Sequence, residues 1–376
     1  MTASTQLISR HQLGFIPGRY IAENGMICQL IMEDAQRKWT IAEQRDNDPS
    51  FRSLDADIGL LLDQEKAYDR VNLDYLRHVL LKFGFSRQLV KCIYKLMGDN
   101  LIRINLNGHL TAEPLNPFLL VIINDRQFQG YLMESERTKL LCYADDVLVF
   151  VHDRTDLDRL QIRMSRYCGA SNAKFNHNKV EAFSVYGRDT WDLWKDSLAE
   201  IHINHLHSVE DDVPLIYLGY PLVQSRLQRV NYMASLITKT KIATQIHSIR
   251  SLSVVGRATV LNSLLLSKLW YILRVTPSTL ADFKQLRSLA IQFLRKNIFP
   301  VIPWKVWTHP KDQGGLGVID FQASALYFRW LQPLLVYDQS TVDSHPVSSL
   351  LSYHLRNVNQ CQYYQLPLLD QCHSQL

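Results

Sequence analysis

Two acidic sites sit at the ends of apolar runs. Gly59-Leu60-Leu61-Leu62 leads directly into Asp63, and Leu140-Leu141-Cys142-Tyr143-Ala144 leads into Asp145-Asp146, after which Val147-Leu148-Val149 is apolar again. Carboxylates crowded in this way repel one another unless a divalent cation neutralises them. Mg²⁺ is the cation expected of such a set, with Mn²⁺ as a substitute, because it takes one or two carboxylates and completes its octahedron with waters and phosphate oxygens. Two such ions roughly 3.5 to 4 Å apart would activate a hydroxyl nucleophile and stabilise a departing pyrophosphate. Asp-Asp in a tight turn also reverses a chain without any metal, so the pair alone leaves both readings open.

Holding these carboxylates requires strands that end at them. An apolar run, an acidic pair and a second apolar run form the pattern of a β-hairpin whose turn presents carboxylates at a sheet edge. Strands are expected at 58–62, 102–106, 140–144, 147–151 and 179–185. Amphipathic periodicity predicts helices over 21–39, 73–83, 87–97 and 153–168, the second and third separated by the turn Gly84-Phe85-Ser86. Beyond Pro221 helical periodicity takes over, at 232–249, 254–273 and 278–295. The fold class expected is α+β, a mixed layer followed by a helical region.

With 376 residues, 47% of them hydrophobic, the chain can bury one large core or two adjoining ones. Its six cysteines, Cys28, Cys92, Cys142, Cys168, Cys361 and Cys372, are too scattered for a disulfide framework or a zinc finger, so no zinc site is expected and a reducing compartment fits best. Residues 1–10 lack the apolar core of a signal peptide. The apolar runs near 117–123 and 261–275 are too short, or broken by Lys268, to span a bilayer. A soluble intracellular protein with no membrane association is expected. The formal charge of +5 is modest, but from 224 to 300 twelve Lys and Arg face a single acid, Asp282. That stretch would attract a polyanion, or it is a solvated helical face.

Leu61-Leu62-Asp63-Gln64-Glu65-Lys66-Ala67-Tyr68-Asp69 resembles motif A of the reverse transcriptases of non-LTR (LINE-type) retrotransposons, and Tyr143-Ala144-Asp145-Asp146 resembles their motif C. Other stretches match in the same order. His11-Gln12-Leu13-Gly14-Phe15-Ile16-Pro17-Gly18-Arg19 is similar to the finger-palm motif, 173–181 to motif D and Ile216-Tyr217-Leu218-Gly219-Tyr220-Pro221-Leu222 to motif E, the primer grip. Residues 252–262 and 266–271 resemble the thumb, and Gly314-Gly315-Leu316-Gly317-Val318 the region after it.

The resemblance runs from about Gln12 to Leu335. It implies partial fingers and a palm over 1–222, the palm being an antiparallel sheet with helices on one face, then a helical thumb over 223–300 and a post-thumb C-terminal region over 301–376. It further implies an RNA-directed DNA polymerase that transfers nucleotides from a dNTP to a primer 3′-hydroxyl on an RNA template, with nucleic acid along the basic thumb. Asp63 and Asp145 would be the principal metal ligands and Asp146 the third carboxylate. Tyr68 would be the gate that excludes a ribose 2′-hydroxyl, with Tyr143 also at the substrate. Arg19 would meet a phosphate or the template backbone, Lys179 would protonate the departing pyrophosphate, and Gly219 would let backbone approach backbone. Each of four has a plain structural alternative: a core aromatic for Tyr68, a turn cap for Arg19, a surface lysine for Lys179 and an ordinary hairpin glycine for Gly219.

The chain departs from the family pattern at motif B, an Arg-Gly-x-x-Gln-Gly-Asp-Pro-Leu-Ser-Pro run that opens a long helix. Here Asn107-Gly108-His109-Leu110-Thr111-Ala112-Glu113 passes straight to Pro114-Leu115-Asn116-Pro117-Phe118. A second contraction follows Ile123, and the chain starts just before the finger-palm motif. The rival expectation is therefore a noncatalytic nucleic-acid-binding remnant or a pseudogene product. A working copy would have to reach nuclear DNA.

Overall fold

The computed structural model describes residues 11–14, 16, 19–43, 57–65, 67, 70–98, 116–133, 136–296 and 302–326. Its contacts divide the chain into two compact units, Met1–Asn24 with Ile31–Glu210 and Gly25–Leu30 with Asp211–Leu376. Among the described residues no helix is long and apolar enough to cross a membrane.

The first unit holds α1 (Ile21–Glu43) except for its Gly25–Leu30 stretch, then β1 (Ile58–Leu62), α2 (Leu73–Lys82), α3 (Arg87–Gly98), α4 (Asn116–Ile123), a small hairpin β2 (Tyr131–Met133) and β3 (Glu136–Thr138), then β4 (Leu140–Tyr143), β5 (Asp146–Val151), α5 (Arg154–Ser171), β6 (Glu181–Ser184), α6 (Trp191–Ala199) and β7 (Leu206–His207). Its main sheet has the order β4-β5-β1-β6-β7. β1 lies at the centre, antiparallel to β5 and β6, with Ile58 opposite Val151 and Leu62 opposite Val147. Side chains alternate across a strand. Ile58, Leu60, Leu62, Val147, Val149 and Val151 therefore share one face, where they form one core with Phe118 and Ile122 of α4, Leu157 and Leu160 of α5, and Trp194 and Leu198 of α6.

The expected antiparallel sheet with helices on one face is present in α4, α5 and α6, with two differences. β7 pairs with β6 in parallel, and the opposite face is closed as well, since Leu148, Phe150 and Phe183 are buried. Burial on both faces is why these strands are apolar throughout and do not alternate. β4 stops at Tyr143, not Ala144, because Ala144 turns with φ 54°. β6 begins at Glu181, not Lys179, because His177–Lys179 form a 3₁₀ turn. α5 starts just after Asp153, whose carboxylate accepts from Asp156 N, and closes at Asn172 in the left-handed conformation. The strand expected at 102–106 lies outside the described residues.

The second unit opens with the hairpin β8 (Leu215–Tyr217) and β9 (Tyr220–Leu222) and continues through α7 (Arg226–Ser248), α8 (Val254–Val260), a π turn at Leu261–Leu265, α9 (Leu266–Leu273), α10 (Leu280–Arg295), α11 (Trp304–Thr308) and α12 (Phe321–Leu326). α7 begins six residues before the expected 232 because Ser225 caps it, accepting from Gln228 N. Thr279 and Asp282 form a capping box at the head of α10. Met233, Leu261, Leu269, Phe283, Leu286, Phe293 and Trp307 share the core of this unit. The helix expected over 254–273 is interrupted by the π turn. There the Asn262 amide donates to Gly317 O at 2.8 Å and accepts from Ile319 N at 3.1 Å, tying the glycine-rich loop to the widened turn.

Gly59 stands opposite Phe183 in the sheet, and a Cβ on it would collide with the Phe183 ring. Gly59→Ala is expected to destabilise the protein by about 1–3 kcal/mol in urea titrations, and Phe183→Leu in the same chain should recover part of that loss. An unchanged midpoint for Gly59→Ala would show that the ring moves aside freely.

Candidate active site

Asp63 follows the last residue of β1, and Asp146 is the first residue of β5. The ladder pairs Leu61 with Leu148 and Leu62 with Val147. One further step of that register sets Asp63 against Asp146, on the face that Leu61 and Leu148 share rather than the face of Leu62 and Val147. Asp145 sits in the turn that joins β4 to β5. Tyr143 pairs with Asp146 across that turn, leaving Ala144 and Asp145 as its two central residues. Only one of the two acids is thus a turn residue. The other belongs to a strand, and this gives the pair a fixed direction that a flexible acidic turn would lack.

The electrostatics reflect this crowding. The Asp146 carboxyl is pushed up from 3.8 to about 6, first by the loss of surrounding water, then by the negative charges of Asp145 and Asp63, with Lys179 pulling the other way. Its tip remains open to solvent.

Lys179 is brought in by a backbone connection. Glu65 N donates to Lys174 O at 2.8 Å and Asn176 N donates to Asp63 O at 2.9 Å, so the segment before the 3₁₀ turn runs beside the end of β1. The Asn176 side chain caps that turn by accepting from Asn178 N. Lys179 Nζ then lies 3.5 Å from Asp63 Oδ2. An ion pair this open to water adds at most about 1 kcal/mol, so its interest lies in its position.

The remaining expected site residues fall differently. Tyr68 lies outside the described residues. Arg19 donates from Nη1 to Gln12 O at 2.6 Å, the turn-capping arrangement, and burial lowers its pKa against the opposing pull of Glu23. Gly219 belongs to the second unit. With φ 79° beside Leu218 at φ 50°, it forms the two-residue turn between β8 and β9, a conformation that glycine adopts without strain. The Tyr271 hydroxyl donates to Leu218 O in the same turn. Gln12 and Asn24, two side chains without an expected role, reach the β4 end. Both are buried, and neither is marked by apolar neighbours in the sequence, since Gln12 follows His11 and Asn24 follows Glu23.

The basic stretch of the second unit is partly committed to its own fold. Arg229 pairs with Asp282 at 2.8 Å, Lys296 donates to Ser248 O at 2.6 Å, Arg287 donates to Gln322 at 3.0 Å and Arg257 is buried. Arg226, Lys239, Lys241, Arg250, Lys268 and Lys284 are exposed.

Comparison with known proteins agrees with this geometry. The chain is 27% identical over 365 residues to the Transposon TX1 uncharacterized 149 kDa protein of Xenopus laevis, covering 87% of this chain and 25% of that protein. It therefore spans about a quarter of the length of that relative. The sequence model of the family described as reverse transcriptase (RNA-dependent DNA polymerase) matches residues 1–222, more than half of the chain and the whole of the carboxylate-bearing sheet. The chain belongs to the reverse transcriptase family, in a form akin to those of non-LTR retrotransposons.

Proposed function

We propose that this chain is an RNA-directed DNA polymerase domain that transfers nucleotides from a dNTP to a primer 3′-hydroxyl on an RNA template. The observation that carries the proposal is the convergence of Asp63, Asp145 and Asp146 at one end of the sheet. The donor set suits a divalent cation. All three groups are hard oxygen ligands, as Mg²⁺ or Mn²⁺ prefers, and burial, with the charges of Asp145 and Asp63 added to it, raises the pKa of Asp146. When bound, a pair of such ions supplies the charge that activates the primer hydroxyl and stabilises the departing pyrophosphate. Asp63 and Asp145 are the principal ligands and Asp146 the third.

Lys179, held beside Asp63, is the proton donor to pyrophosphate. Tyr68 and Tyr143 meet the incoming nucleotide, and Gly219 permits close backbone approach at the primer. Residues 1–222 serve as partial fingers and palm, 223–300 as the thumb and 301–376 as the region beyond it. The exposed Arg226, Lys239, Lys241, Arg250, Lys268 and Lys284 meet sugar-phosphate backbone, which positions a duplex without reading its sequence. Such a protein would act on nuclear DNA.

Purified protein should extend a DNA primer on an RNA template with Mg²⁺ and dNTPs, and Asp63→Asn and Asp145→Asn should each lower the rate roughly a thousandfold or more. A folded wild type that binds duplex but makes no product would replace this assignment with a binding remnant, the outcome favoured by the departure at 107–117.

Asp146 also makes stability depend on pH. Because its native pKa lies above the unfolded value, the native state holds the extra proton, so stability falls as pH rises from ~4 to ~6 and the cost stays constant above that. In chelator, Asp146→Asn should therefore stabilise the protein more at pH ~7.5 than at pH ~4.5, as read by urea denaturation. Added Mn²⁺ should cancel that advantage by stabilising the wild type. A gain independent of pH would contradict the raised pKa of Asp146 in the native state.

A further inference from the structure

The segment that precedes α1 touches the carboxylate turn through one buried side chain. Gln12 is 0% exposed, and its amide engages both polar groups of Ala144: Nε2 donates to Ala144 O at 3.0 Å, and Oε1 accepts from Ala144 N at 2.8 Å. The same Oε1 accepts from Gly14 N at 2.8 Å, and Nε2 lies 3.2 Å from Cys142 Sγ. The backbone continues the connection, with Leu13 N donating to Cys142 O at 3.0 Å and Cys142 N donating to His11 O at 3.1 Å. Asn24 Nδ2 donates to Cys142 O at 2.9 Å, and Arg19 holds the Gln12 carbonyl. Gly14 lies so close to Ala144 N that it leaves no room for a Cβ.

Ala144 is the residue that this contact serves. Its φ of 54° lies in the left-handed region, which a residue with a Cβ avoids unless its surroundings hold it there. It directly precedes Asp145. Rotating either peptide that flanks Ala144 would redirect the Asp145 side chain and shift the start of β5 at Asp146. A primary amide offers a donor and an acceptor side by side in one fixed plane. It can thus pair with one residue's N–H and C=O together, as a neighbouring strand would.

We infer that Gln12 is the positioning residue of the carboxylate turn. It holds Ala144 left-handed so that Asp145 and Asp146 point to the side where Asp63 stands, and it touches neither substrate nor metal. Only the functional consequence of this inference rests on the metal-site assignment above.

Gln12→Leu preserves volume and removes both hydrogen bonds. It should keep the far-ultraviolet spectrum of the wild type, while amide hydrogen exchange in the peptide spanning 140–147 accelerates roughly tenfold or more and Mn²⁺ affinity, followed by electron paramagnetic resonance, falls by a similar factor. Ala144→Gly added to Gln12→Leu should restore part of the Mn²⁺ affinity, because glycine keeps a positive φ unaided. Where Gln12→Leu does not fold, Gln12→Asn serves: it keeps an amide but, one methylene shorter, cannot engage both polar groups of Ala144, and should show the same changes at smaller size. A folded variant with wild-type exchange at 140–147 and wild-type Mn²⁺ affinity would overturn the inference. If the wild type itself takes up no Mn²⁺, the metal assignment falls while the exchange measurement still decides on Gln12.

Discussion

Leu62 lies opposite Val147 in the ladder that joins β1 to β5, and the next step of that register brings Asp63 to Asp146. A slip of one residue would turn every side chain of β1 to the opposite face. Ile58, Leu60 and Leu62 would leave the core under α4, α5 and α6, and Gly59 would no longer face the Phe183 ring. Each large aliphatic side chain removed from that core forfeits about 1.5–3 kcal/mol, so the register is held by far more energy than three carboxylates can oppose. Apolar packing therefore fixes the position of charges that would not choose one another as neighbours.

Those charges remain uneasy in the free protein. Lys179 lies 3.5 Å from Asp63 but is largely exposed, and a single lysine on a flexible stem does not neutralise three acids. The raised pKa of Asp146, set first by burial and then by the charges of Asp145 and Asp63, records part of the strain of the arrangement. A folded chain that keeps such strain where a sheet meets solvent resembles a site that awaits a counter-charge more than one selected for stability.

The strands that carry the carboxylates were legible because an apolar run ending in an acid is an uncommon pattern, and β1, β4 and β5 sit within a residue of where that pattern puts them. α4 was hidden because 116–123 is apolar all round and has no helical periodicity to find. β7 was hidden because two residues are too few to show alternation. The early start of α7 is a different kind of miss. Ser225 and Gln228 offered a capping signal in plain view, and hydrophobic period alone does not register caps. Of the site, Asp63, Asp145, Asp146 and Lys179 lie together at one end of the sheet. The role of Gln12 could not be read from the chain, because its partner is 132 residues away and is a backbone, which has no sequence signature.

Charge in the second unit was harder to judge from sequence because a count treats all cations alike. Arg229 answers Asp282, the one acid in the stretch, and Lys296 closes the end of α7 by donating to Ser248 O. Arg257 is buried outright. These side chains stabilise helices and cannot also release counterions from a polyanion, so the salt dependence of any duplex binding should reflect the exposed cations rather than all twelve. Apart from Lys296, the exposed cations of the stretch lie on α7, α9 and α10 and at the end of the turn after α7, spread along helices. That distribution suits a partner whose charge repeats along its length, and it provides no basis for recognising one base over another.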